Sequence, residues 1–84
     1  MVFVARGEIK LDEVAKVFEA RKNKRLSPRV HIITEVFVIG QPWVIAVFEA
    51  ETAEDVLDFI SPYLEIGTFD IYPAVTAEEA QKLF

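Results

Sequence analysis

The chain has 84 residues, 52% of them hydrophobic and 27% charged, enough apolar mass for one core and read as a single domain over residues 1–84. A formal charge of −5 works against non-specific nucleic-acid binding, since phosphates reward a basic surface, and with no cysteine and one histidine neither thiol chemistry nor a transition-metal cluster is available, so no metal and no cofactor is expected. No cleavable leader pattern and no apolar run of bilayer length is visible, which leaves a cytoplasmic location and no membrane partner as the expectation.

Residues 2–5 form a short apolar run closed by Arg6 and Gly7, the length of a buried strand. From Leu11 the period changes: Leu11, Val14, Val17 or Phe18, and Arg21 recur at helical spacing, and Asp12 and Glu13 suit the positive end of the helix dipole. This helix is expected to close near Asn23, where Arg21, Lys22, Lys24, Arg25 and Arg29 gather five of the nine basic residues. Cations at a helix C-terminus complement its last carbonyls and stay solvated, so the cluster reads as a wet surface before it reads as an anion site. Ser27 and Pro28 mark a loop, because proline disfavours helix at the residue before it.

Residues 30–39 and 44–48 are rich in β-branched side chains, with Gly40, Gln41 and Pro42 supplying turn chemistry between them, which predicts a hairpin. Thr52 followed by Asp55 has the pattern of a capping box opening a helix with apolar positions Ala53, Val56, Leu57 and Ile60, ended or kinked by Pro62. Gly67 leads into a last strand over residues 68–72, stopped by Pro73, which cannot donate to a ladder and suits a sheet edge. Thr76 with Glu79 repeats the capping pattern for a short C-terminal helix. The order βαββαβ with right-handed crossovers gives an α+β, ferredoxin-like sandwich: an antiparallel sheet of strand order 4-1-3-2, with both main helices on one face.

Strand side chains alternate between faces, so each strand divides by parity. In the second strand Val30, Ile32, Thr34, Val36 and Val38 fall to the helix-covered face, and His31, Ile33, Glu35, Phe37 and Ile39 to the open one. In the third, Val44, Ala46, Phe48 and Ala50 lie under the helices and Trp43, Ile45, Val47 and Glu49 face outward. A three-residue turn at 40–42 makes these assignments consistent, whereas a two-residue turn would flip one strand. In the last strand Thr68, Asp70 and Tyr72 face outward. The open face then carries six large apolar side chains, each worth roughly 1.5–3 kcal/mol on burial. A two-fold partner closes such a face, so a homodimer through the open sheet face is expected.

The stretch Ala46-Val47-Phe48-Glu49-Ala50-Glu51-Thr52, and the later Phe69-Asp70-Ile71-Tyr72-Pro73-Ala74-Val75 followed by Glu78-Glu79-Ala80, resemble a small family defined only as a domain of unknown function within the dimeric α/β-barrel superfamily. That resemblance implies two ferredoxin-like subunits packing their sheets into a barrel. Members of the superfamily include cofactor-independent monooxygenases, lactone isomerases, haem-degrading enzymes and proteins with no known activity, so the resemblance does not choose a function.

The polar residues assigned to the open face supply the candidates. His31 can serve as a general base near neutral pH, oriented by Glu35 or Glu49, with Tyr72 donating to a bound carbonyl or enolate. The same residues also suit a wet strand end and ion pairs across an interface. His31 and Tyr72 are thus the catalytic candidates, and Glu35, Trp43, Glu49 and Asp70 the ligand-contact candidates. Trp43 reads as a rim anchor, since the aromatic pattern of RNA-binding ferredoxin-like domains is missing, and no nucleic-acid partner is expected. The first function expected is binding of a small apolar molecule between the two sheets. A cofactor-independent isomerase or monooxygenase-like enzyme, and a purely structural or interaction module, are the alternatives.

Overall fold

In the computed structural model, which describes residues 1–23 and 25–84, the first strand, β1, runs over Val2–Ile9. It continues through Arg6 and Gly7, where the sequence suggested a stop. Ala5, Gly7 and Ile9 are buried while Arg6 and Glu8 are exposed, the period-two pattern of a strand with one face in water. The chain then makes a 3₁₀ turn at Leu11–Glu13 before helix α1, Val14–Asn23. Leu11 is therefore outside the α-helical stripe and 85% exposed, and Val17 is the helix residue sealed in the core. The basic cluster beyond α1 is only partly in view, since Lys24 lies outside the described residues.

Strands β2, His31–Phe37, and β3, Trp43–Glu49, form the expected hairpin. The connection is longer than three residues, because β2 stops at Phe37 and the Val38 amide donates to the Trp43 carbonyl at 3.0 Å. Gly40 turns the chain there with φ of 89°, a conformation that costs glycine no Cβ clash. Helix α2, Ala53–Ile60, has the capping box the sequence announced: Thr52 Oγ1 accepts from the Asp55 amide at 3.2 Å, and the Thr52 amide donates to Asp55 Oδ2 at 3.3 Å. Pro62 sits inside the 3₁₀ turn Ser61–Tyr63 that extends it. Strand β4, Gly67–Ala74, includes Pro73, and helix α3, Ala77–Leu83, is capped by Thr76 Oγ1 accepting from the Glu79 amide at 3.1 Å.

The sheet order is β2-β3-β1-β4, antiparallel throughout, which is the ferredoxin-like arrangement with Pro73 on an edge strand. No helix among the described residues is long and apolar enough to cross a membrane. The core lies between the sheet and α1 and α2, centred on an aromatic series. Phe48, fully buried, stacks on Phe59 at 4.2 Å and on Phe3 at 5.7 Å between ring centroids, and Tyr63 lies between Phe59 and Phe69 at 6.5 and 6.0 Å. The core-facing stripe of α2 and its extension is Val56, Phe59, Ile60 and Tyr63, one step round the helix from the stripe read in the sequence. Leu57 is left 60% exposed, because turning two aromatic rings inward removes more apolar surface from water than Ala53 and Leu57 would.

One irregularity decides which residues share a face. His31 pairs with Glu49 and Ile32 with Phe48, but the next pairs are Thr34 with Val47, Glu35 with Ala46, Val36 with Ile45 and Phe37 with Val44. Ile33 is thus the extra residue of a β-bulge, and every β2 side chain beyond it is reversed relative to simple alternation. Glu35 and Phe37 lie under the helices, where Phe37 stacks on Phe18 of α1 at 4.7 Å, and Thr34 and Val36 lie on the open face. Ile39 is outside the strand altogether and fully exposed in the turn.

Candidate functional site

The register of the four strands lays the open face out in rows. Running from β4 through β1 and β3 to β2, one row is Ala74, Val2, Glu49 and His31, and the next is Tyr72, Val4, Val47 and Thr34. The third is Asp70, Arg6, Ile45 and Val36, and the last is Thr68, Glu8 and Trp43. None of these residues is buried. An apolar band of Val2, Val4, Ile45, Val47 and Val36 therefore crosses the sheet, with charge at either end of it.

At one end, Arg6 Nη2 donates to Asp70 Oδ2 at 3.2 Å and the guanidinium carbon lies 5.2 Å from the centre of the Trp43 ring. Two of the ligand-contact candidates, Trp43 and Asp70, are thus brought together by an arginine that the sequence reading left out of the site. The signal was present in the alternation Val4, Arg6, Glu8 and was hidden by taking the first charge as the end of the strand. At the other end His31 and Glu49 face each other across β2 and β3. Tyr72 is on the far edge: β2 and β4 are the outermost strands, three strand spacings or about 14 Å apart. His31 and Tyr72 of one chain therefore do not reach a common small substrate.

Glu35, expected on this face, is on the other one. The bulge at Ile33 turns it under the helices, where Glu35 Oε1 accepts from Arg21 Nε at 3.1 Å and from Nη2 at 3.0 Å. Tyr63 is close enough for the Glu35 charge to act on it. Burial first, and that charge second, hold the phenol above its ordinary value, while the same carboxylate raises Arg21 by its hydrogen bond. These three line one side of a cavity of about 40 Å³ whose other walls include Ala5, Val17, Ala46, Phe59 and Phe69. Tyr63 is missed by a reading in which Pro62 ends or kinks α2, although it continues the Val56, Phe59, Ile60 stripe.

The remaining basic residue of interest is structural. Arg29, in the loop before β2, donates from Nε to Asp55 Oδ1 at 3.1 Å and ties that loop to the start of α2. Asp55 is completely buried.

The fold and its uncovered sheet face define an α+β sandwich of the ferredoxin-like type, with polar residues clustered at both ends of an apolar band. The chain belongs to the family described as a domain of unknown function (DUF3303), whose model matches residues 1–84. No curated protein matches it.

Proposed function

We propose that the protein works as a homodimer, joined through its open sheet faces, that holds a small apolar molecule between the two sheets. The observation that carries this reading is the apolar band of Val2, Val4, Ile45, Val47 and Val36 on a face where no residue is buried. Four strands about 4.8 Å apart and about eight residues long give a flat footprint of about 500 Å². Side-chain relief raises the accessible area toward the roughly 800 Å² per partner of a standard interface.

The make-up of the band supports the ligand. Facing sheets pack about 10 Å apart, and the twist of each opens the gap away from the line of closest approach. Four of the five side chains in the band are valine, which is short, so the band leaves space there that larger side chains would fill. The polar groups at the two ends, Arg6 with Asp70 and Glu8, and His31 with Glu49, close such a space with polar walls and orient whatever it holds.

Native mass spectrometry of the purified protein at micromolar concentration tests both halves. The expected result is a dimer carrying the mass of a retained small molecule, or one that takes up apolar compounds when they are offered. A monomer would overturn the assembly, and a dimer that takes up nothing would remove the ligand and leave a structural role.

A further inference from the structure

We propose that each subunit also contains a ligand site of its own, on the opposite side of the sheet. It is the cavity between sheet and helices, which takes a compact neutral molecule of three or four heavy atoms with one hydroxyl, such as a short branched alcohol, donated to the Glu35 carboxylate. The site does not depend on the dimer.

The cavity is created by the sequence of the central strands. Along the helix-facing side of the sheet, Phe3 pairs with Phe48 in one row and Gly7 with Val44 and Phe69 in another. Between them lies a row running Ile71, Ala5, Ala46 and Glu35. Two alanines side by side on adjacent central strands, between rows built from phenylalanine, leave a void over their methyl groups. Phe59, Tyr63 and Phe69 wall it, and about 40 Å³ remains open. A single water needs about 10–15 Å³ measured in this way, so the space accepts roughly three water-sized positions.

Water is a poor occupant, because each molecule needs two to four polar partners and the floor offers methyl groups and ring faces. Polarity is confined to one wall. There the Arg21 and Glu35 pair sits at the outer strand, with the arginine half-exposed, beside Tyr63. An apolar body with one polar group matches that division.

The bulge supports the same conclusion. An extra residue at Ile33 interrupts the β2 ladder, and its effect is to turn Glu35 from the open face to the end of the alanine row. Bulges commonly re-aim a side chain next to a site. Here the re-aimed side chain is a carboxylate at the mouth of an apolar cavity.

The test is a titration of the intact protein with propan-2-ol, followed by NMR of alanine and valine methyl groups. Saturable shifts at Ala5, Ala46 and Val17 are expected. Ala46→Val, which fills the void, should abolish saturation. Glu35→Gln, which keeps the shape but removes the charged acceptor, should weaken binding at least about tenfold. Linear shifts without saturation, or saturation unchanged in both variants, would overturn the proposal. Saturable shifts confined to Val2, Val4 and Val47 would also overturn it, while favouring the site between the sheets. A protein that proves monomeric and still shows the Ala46 response would retain this site and lose the dimer.

Discussion

Asp55 is the buried charged residue among those described, and its surroundings set a pH dependence. Burial pushes its carboxyl up, but hydrogen bonding to Thr52 and the charge and hydrogen bond of Arg29 outweigh that, and the group sits below its ordinary value of 3.8. A carboxyl whose folded value is depressed contributes stability that is present above the unfolded value and lost as the pH falls through the folded one. Asp55→Asn should therefore melt below the wild type at neutral pH, and the difference should close as the pH falls from the ordinary carboxylate range through the lower folded value. Melting midpoints across that range decide it, and a gap that stays constant to the acid end would show that Arg29 does not act through this charge. Gly7 makes a second prediction of this scale. A Cβ there would overlap the Phe69 ring and come within 2.8 Å of a Val44 methyl, so Gly7→Ala must displace both. It should cost about 1–3 kcal/mol, the usual penalty for overpacking, measurable by urea unfolding.

At the scale of elements, the strength of local signals governs what the sequence reveals. Thr52 and Asp55 sit at capping-box spacing with a helix-forming run behind them, and the box forms as expected. Removing the cap by Thr52→Ala should cost about 1 kcal/mol and lower the melting temperature by roughly 4–8 °C, read by circular dichroism. The order of strands and helices followed from β-branched runs, turn residues and caps, and Pro73 marked an edge strand correctly. The phase of β2 did not follow. Its residues are apolar on both faces, so no alternation of polar and apolar positions records its phase, and one inserted residue reverses Glu35 and Phe37 without a trace in the pattern. The site inherits that difficulty: Trp43 and Asp70, on regular strands, lie on the open face to which alternation assigns them, whereas Glu35 is read onto the wrong face and Arg6, which joins the two, as a strand end. Deleting Ile33 makes the bulge testable. With the extra residue gone, Ile32 opposite Phe48 is followed directly by Thr34 opposite Val47, so β2 alternates regularly while Glu35 and Phe37 keep their places under the helices. The deletion should therefore lower the melting temperature by less than the loss of the Thr52 cap does, and a larger fall would show that the bulge itself supports the fold.

The whole molecule measures 43 × 30 × 17 Å, and its thinnest dimension is that of one sheet with one layer of helices. A single sheet in a two-layer sandwich has one face to spare, and here that face carries Ile45 and Val4 near its middle, on the two central strands β3 and β1. A charge placed there in a dimer must be desolvated against its own symmetry copy, whereas in a monomer it simply faces water. The two cases separate cleanly in Ile45→Lys. If the faces are joined, the variant should sediment as a monomer at micromolar concentration where the wild type is a dimer. Its melting temperature should fall and lose the concentration dependence that coupled association imposes on the wild type. Gln81→Lys, exposed in the last turn of α3, adds the same single positive charge away from the sheet and should leave both properties unchanged. An Ile45→Lys protein with the sedimentation and melting behaviour of the wild type would mean that the band stays in water in the native protein, and the assembly proposed for it would fall.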